Sequence, residues 1–441
     1  MHRVYKKDIV KPMDITLKRS VLKGKISVAT SKSETIRALL VASFAKENSV
    51  VSDILESLDT QACLKACRAF GATITYINDN NVRIIPPKAY PQVITVDCEN
   101  SGTTLYLATS LAASIGNKVT FTGDKQLINR PVRELLNALV SLGAKIEYLQ
   151  KEGYPPFSIQ GPLKGGHCSI ASHTSQYLSS LLLGAPLAEG DVEIEVPLLN
   201  EKPYVEMTES YLKMQNIKYS SVEMKHYVIR GNQNYKGFKK QIPGDWSSAS
   251  FFFCAAAITK GQITVDNLDS NDFQGDKEIL NILEKMGCKI SYDGNSITLT
   301  APKGTLQGGY FDLNDIPDTL PVLAVTAAFA KGKTTLANVP QARIKETDRI
   351  KVMHDNLKIC QAEVTEGSDY LEIYGKGFLE GAIVSGYDDH RVIMAMAVAS
   401  LATKSPLTIK GIDAVKVTFP TFFSQLEKIC YPIKEKRDEN I

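Results

Sequence analysis

Nothing in the 441-residue sequence stays apolar for long enough to cross a membrane. The uncharged runs at 251–258 and 392–399 are eight residues each, where a helical span needs about 20. A surplus of one charge is missing too. Lys and Arg number 51 against 48 Asp and Glu, a net +3. That excludes a dedicated nucleic-acid or polyanion binder but leaves room for local basic clusters. Cysteine is sparse and unpatterned. Of the eight, only Cys63 and Cys67 are close, one helical turn apart in an apolar-periodic segment. Neither a CxxC zinc pair nor a disulfide framework reads out, and the thiols are expected to be reduced. The first 14 residues are charged and lack the apolar core of a signal peptide. Walker, GxSxG and HExxH patterns are absent, as is a GxGxxG in strand context. What remains is a mixed α/β protein of two or three domains, expected in the cytoplasm.

The sequence does carry an internal period. Small polar residues precede alanine- and leucine-rich runs near Ser33, Gly102, Ser175, Ser248, Asp318 and His390, at intervals of 69, 73, 73, 70 and 72 residues. The runs (35–46, 103–115, 176–188, 249–259, 319–330 and 391–402) read as helices. A β-rich stretch follows each, such as Lys118–Thr122 or Gln262–Asp266. Next comes an amphipathic helix such as 131–142, with Val132, Leu135, Leu136 and Leu139 at helical spacing. A glycine or its equivalent ends that helix (Gly71, Gly143, Asn216, Gly287, Gln361), which suits a left-handed position just past a helix. Two short strands close most units, and the preceding segment contributes another. The result is a βαβαββ unit of about 70 residues, too large for a solenoid repeat. Six units split into two threes at the turn-forming Gln241-Ile-Pro-Gly244. The expected domains are therefore 31–242, and 11–30 plus 243–441, since the strand-like segment 15–30 has no unit of its own. The run 251–258 is apolar all round, so such helices belong inside, with sheets outside them. Their N-termini then present unpaired N–H groups and partial positive charge at the domain faces, where anions bind.

The residues at those openings are rich in charge. In Ser31-Lys-Ser-Glu-Thr-Ile-Arg37, Ser31 and Glu34 fit a capping box, but capping accounts for neither Lys32 nor Arg37. Asn100-Ser-Gly-Thr-Thr104 is a glycine turn through which backbone can approach a ligand. Arg130-Pro131, Thr174-Ser-Gln176, Asp315-Ile-Pro-Asp318, Arg343-Ile-Lys-Glu-Thr-Asp-Arg349 and Asp388-Asp-His-Arg391 follow. Singly, a turn at Asn100, a solvated helix face at 343–349 and a cap-side histidine at His390 are adequate readings. The one Trp, Trp246, reads as packing. Together they point further. If the two halves face each other, Lys32, Arg37, Arg130, Lys345, Arg349 and Arg391 converge with the carboxylates of Asp318 and Glu346. The cleft would suit two small anions and acid–base chemistry.

These motifs, with Lys202-Pro-Tyr204, Gly244-Asp-Trp-Ser-Ser-Ala-Ser250 and Thr418-Phe-Pro420, resemble those of the 5-enolpyruvylshikimate-3-phosphate (EPSP) synthases, in family order. The resemblance implies an α/β fold of two inside-out α/β barrel domains, each of three βαβαββ units, closing on a cleft. It implies transfer of the enolpyruvyl group of phosphoenolpyruvate (PEP) to the 5-hydroxyl of shikimate 3-phosphate, with release of phosphate. It assigns acid–base and charge roles to Asp318, Glu346 and Lys32. Shikimate 3-phosphate would meet Lys32, Ser33, Arg37, Thr174, Ser175, Gln176, Tyr204, Asp318, Gln341 and Lys345. PEP would meet Lys32, Asn100, Gly102, Arg130, Gln176, Arg349, His390 and Arg391. Gly102, which is Ala in some glyphosate-tolerant relatives, implies sensitivity to that PEP mimic. No metal or cofactor is implied, nor a nucleic-acid or membrane partner, and a monomer is expected.

The sequence also departs from the family. Glu201 stands where a phosphate-contacting Ser is common. At about 4 Å a carboxylate would repel each phosphate charge by roughly 1–4 kcal/mol, so Glu201 is expected to point away unless the substrate differs. Tyr106 replaces an Arg, Gln341 an Asn and Val417 a Lys. Lys416, one residue earlier, would face the opposite side of a strand. Three other readings compete. A UDP-N-acetylglucosamine enolpyruvyltransferase usually has a Cys before the Arg-Pro, which 123–131 lacks. An enolpyruvyltransferase for another cyclic alcohol would explain Glu201, Tyr106 and Val417, and a silent ligand-binding relative would not need the charged set.

Overall fold

The computed structural model describes residues 13–432; the ends of the second expected domain lie outside them. The alanine-rich runs form six helices: α1 (Lys32–Ser43), α2 (Gly102–Ser114), α3 (Ser175–Gly184), α4 (Trp246–Ile258), α5 (Leu320–Ala328) and α6 (His390–Ser400). The small polar punctuation before them is capping chemistry. Ser31, Ser101, Thr174, Asp245 and Asp389 each accept a first-turn N–H, which is worth about 1 kcal/mol per helix. α5 differs, entered through the 3₁₀ turn Pro317–Thr319 with no side-chain cap. Every residue of α4, α5 and α6 is buried, as their apolar circumference requires. Only half of the expected capping box forms at α1. Ser31 Oγ accepts from Glu34 N at 3.3 Å, but the Glu34 carboxylate turns instead to the Tyr211 hydroxyl at 2.6 Å and Lys240 at 3.2 Å.

The sheets repeat one pattern. Ile94–Asp97 runs parallel to Lys118–Thr122, which pairs antiparallel with Phe157–Gln160, itself antiparallel to Lys145–Tyr148. α2 makes the parallel crossover, and Arg133–Ser141 connects the second and third strands in sequence. The same order recurs in the sheets holding Gly166–Ser172 and Tyr310–Asp312. Two units borrow their first strand from a distance. Lys239–Gln241 supplies it to Ser49–Ser52, and Ser20–Ser27 supplies it to Gln262–Asp266, both in parallel. Among the described residues the last unit lacks its own hairpin. Ile15–Leu17 pairs with Leu407–Lys410 in its stead, and the described residues end on Cys430–Pro432, antiparallel to Ser20–Ser27.

Buried apolar side chains fall into two clusters. One is drawn from residues 36–242, the other from Leu22, Ile26 and Val28 with residues 246–429. Trp246 belongs to the second cluster, with its indole N–H donating to the Asp269 carbonyl at 3.0 Å. All eight cysteines are free thiols. No described helix is long and apolar enough to cross a membrane.

Candidate active site

The first turns of α1, α2, α3 and α6 reach one cavity between the two clusters, with the 3₁₀ turns Pro317–Thr319 and Pro340–Ile344 on its second wall. Convergent helix N-termini give it a positive bias before any side chain is counted. All but one of the seventeen candidate residues line it. The exception is Asn100, which stands behind the wall. Its amide oxygen accepts from Arg130 at 2.9 Å and its amide nitrogen donates to Asp124 at 2.7 Å, so it aims Arg130 rather than facing the cavity.

Six cations and four carboxylates face the cavity, and nearly all are paired. Arg349, 1% exposed, donates to Asp389 through Nε at 2.9 Å, to Asp318 at 2.7 Å and to Glu346 at 2.6 Å. Arg391 donates to the other Asp318 oxygen at 2.8 Å and to the Ser247 hydroxyl at 2.8 Å. Asp276 accepts from Ser247 at 2.8 Å and from the Tyr204 hydroxyl at 2.6 Å. Arg130 approaches Glu346 at 3.6 Å across the cavity, and Lys32 meets Asp59 at 3.0 Å. Arg37 is largely spent within the protein, donating to Thr208, to the Ser33 carbonyl and to the Tyr204 carbonyl. Gln176 donates to Thr103 at 3.2 Å and Gln341 to the Asn314 carbonyl at 2.7 Å.

These pairs set the protonation states. Burial pushes the Asp318 carboxyl up, but the opposing fields of Arg391, Lys345 and Arg349 outweigh it and hold the group below the usual carboxylate range. Glu346 is likewise raised by desolvation yet held well down by Arg349 and Arg130. Lys345 loses to burial and gains more from Glu201 and Asp318, so it rises. Burial drives the His390 imidazole down to about 3, leaving a neutral ring. His390 is not a capping histidine. Asp389 caps α6 by accepting from the Arg391 and Val392 amides, while both His390 ring nitrogens have no partner in the protein. Arg130 Nε and Gln341 Oε1 are also unpartnered. Four of the six such buried atoms among the described residues thus belong to this cavity. A buried polar atom left unpaired costs about 1–3 kcal/mol, so a polar ligand that pairs them is favoured.

The family model for EPSP synthase (3-phosphoshikimate 1-carboxyvinyltransferase) matches residues 17–426. The chain belongs to the EPSP synthase family. Curated relatives named 3-phosphoshikimate 1-carboxyvinyltransferase include one from Ruminiclostridium cellulolyticum, 43% identical over 94% of this chain and 98% of the relative. Another, from Methanocorpusculum labreanum, is 36% identical over 96% of this chain and all of the relative. A solved EPSP synthase from Acinetobacter baumannii superposes with a TM-score of 0.80 at 28% identity, covering 96% of this chain and 98% of that one.

Within the EPSP synthase family the departures of this chain now have places. Tyr106 lines the cavity, its hydroxyl donating to the Pro131 carbonyl at 3.0 Å beside Tyr177, which donates to the same oxygen at 2.7 Å. Lys416 lies on the 3₁₀ turn Ile412–Val417, not on a strand, so strand alternation is not what keeps it away; it pairs with Asp413 at the surface. Glu201 does not point away. It is 2% exposed and its carboxylate sits on the first turn of α3. Asp59 was not legible as a site residue. As an acid in the first turn of Leu58–Ala69, behind the Ser57–Thr60 capping box, it reads as an ordinary complement to the helix dipole.

Proposed function

We propose that this cavity performs the family reaction. PEP and shikimate 3-phosphate give 5-enolpyruvylshikimate 3-phosphate and phosphate, a step toward chorismate and the aromatic amino acids. The observation that carries the reading is the pair Asp318 and Glu346, two half-buried carboxylates sharing Arg349 in a cavity of excess positive charge. Asp318 takes the proton of the acceptor 5-hydroxyl as its oxygen bonds C2 of PEP, and C3 gains a proton from the Glu346 side. The tetrahedral adduct then loses phosphate as C3 returns a proton. Both carboxylates are ionised while arginines surround them. Substrate carboxylate and phosphate groups draw on the same guanidinium forks, which weakens that hold and raises the proton affinity of both acids when proton transfer is required. Lys32, with Arg130, Arg349 and Arg391, balances charge on PEP, and the neutral His390 offers one donor and one acceptor to it.

The two core clusters are read as two inside-out α/β barrels, each of three βαβαββ units. The domains are 31–242, and 11–30 plus 243–441, closing on the cleft. The protein is read as a monomer, and its small-molecule cargo suits the cytoplasm. An acceptor without the 3-phosphate is the second reading, favoured by Glu201 alone. The mechanism is tested by turnover in D2O. Reversible protonation at C3 puts deuterium into the enolpyruvyl methylene of the product; a product without deuterium after many turnovers contradicts addition and elimination.

A further inference from the structure

We propose that the Glu201 carboxylate is an internal occupant of the subsite for the acceptor's phosphate, displaced when the acceptor binds, so that Glu201 sets acceptor affinity. This rests on the functional reading above and concerns the same site.

The donor set around Glu201 is one that a phosphate would use. Its Oε2 accepts from the Ser175 amide at 3.0 Å, the Ser175 hydroxyl at 2.7 Å and the Thr174 hydroxyl at 3.1 Å. Its Oε1 pairs with Lys345 from the other half of the chain. A helix N-terminus, two hydroxyls and an ammonium are anion-binding chemistry. Here they converge on a side chain of the protein itself.

The backbone is committed to this placement. Glu201 lies in the left-handed region at φ 58° and ψ 45°, immediately before Lys202–Met214, a conformation uncommon outside glycine and kept only where the surroundings enforce it. The Tyr204 amide donates to the Glu201 carbonyl at 3.1 Å and the Lys202 amide to Asp315 at 3.3 Å, holding the turn from both walls of the cavity. The side chain is itself almost fully buried. A phosphate dianion and this carboxylate would compete for the same amide, hydroxyls and ammonium, and like charges so close repel strongly. The acceptor therefore trades one anion for another, releasing Lys345 and the α3 N-terminus from Glu201 as its phosphate enters.

Two variants test this. E201S removes the occupant, and E201Q keeps its shape without its charge. Steady-state kinetics should show KM for shikimate 3-phosphate falling at least tenfold in E201S and less in E201Q, with KM for PEP moving under twofold. Inorganic sulfate should raise the melting temperature of E201S at concentrations tenfold below those needed for wild type. A merely structural role for Glu201 would move neither the split between the two KM values nor the sulfate response. An E201S enzyme whose KM for shikimate 3-phosphate is unchanged or higher, or whose sulfate response matches wild type, overturns the proposal. If neither wild type nor variants turn over shikimate 3-phosphate, the functional reading fails. The sulfate titration, which needs no turnover, then still decides whether Glu201 occupies an anion site.

Discussion

Asp318 and Arg391 meet at 2.8 Å inside the cavity, and the second Asp318 oxygen is held by Arg349 at 2.7 Å. A carboxylate clamped on both oxygens is fixed in position and ionised, as the proposed base must be before the acceptor hydroxyl attacks. Asp318→Asn keeps the shape and removes the basicity. The expected result is a loss of about 10²–10⁴ in kcat, the usual span for a general base. Circular-dichroism melting should show a folded protein, since Arg349 keeps Asp389 and Glu346 and Arg391 keeps Ser247. Near-normal kcat would remove Asp318 from the role of base.

Gly102 leaves room that Arg130 uses. A Cβ there would lie 2.6 Å from the Arg130 Nη1. The guanidinium end of a flexible side chain can move, so Gly102→Ala should fold. The movement, however, displaces a group assigned to PEP. KM for PEP is expected to rise about tenfold, equivalent to about 1.4 kcal/mol, with a parallel loss of glyphosate inhibition and a smaller change for shikimate 3-phosphate. Equal effects on both substrates would contradict the placement of PEP beside Gly102.

Arg349 serves three carboxylates with one planar fork, a task that a lysine ammonium cannot repeat. Arg349→Lys should lose about 1.5–3 kcal/mol, the worth of a hydrogen bond to a charged group, seen as a drop of several degrees in Tm. kcat/KM for PEP should fall at least 100-fold. A variant with unchanged Tm would show that Asp318, Glu346 and Asp389 do not depend on this residue.

Asp276 makes stability depend on pH. Burial, then the negative field of Asp318, pushes its carboxyl up to about 6 from an ordinary value of 3.8. A group raised on folding contributes stability that is fully present below its unfolded value and lost as pH rises through its folded one. The loss, about 3 kcal/mol for a shift of about two units, falls between about pH 4 and pH 6. Asp276→Asn removes it. The Tm of the variant relative to wild type should therefore increase from pH 4 to pH 7. Parallel Tm curves would place the titration elsewhere.

Much of this architecture could be read from the sequence because the chemistry was local. The apolar circumference of 251–258 required a buried helix, and polar residues before five of the six runs are their caps, so period and cavity walls emerged together. The borrowed strands were less visible. Nothing near Lys239–Gln241 shows that it pairs with Ser49–Ser52, because the contact spans about 190 residues and strand pairing leaves no local mark. Lining residues such as Lys32 were legible as charge that capping does not explain. Asp59 was not, since an acid in the first turn of a helix is an adequate local reading and only the fold brings it to the cavity; Asn100 was legible as a site residue, but the fold sets it behind Arg130. Glu201 was legible as a misfit, while its actual direction, inward onto Ser175, depends on a left-handed turn that its residue type does not favour.

The central claim is the reaction itself. It is tested most directly by mixing the purified protein with PEP and shikimate 3-phosphate, following inorganic phosphate release and weighing the product by mass spectrometry. The account predicts one phosphate per acceptor consumed and a product heavier than shikimate 3-phosphate by one enolpyruvyl group. Phosphate release only with a different alcohol, or none with any acceptor, would contradict it.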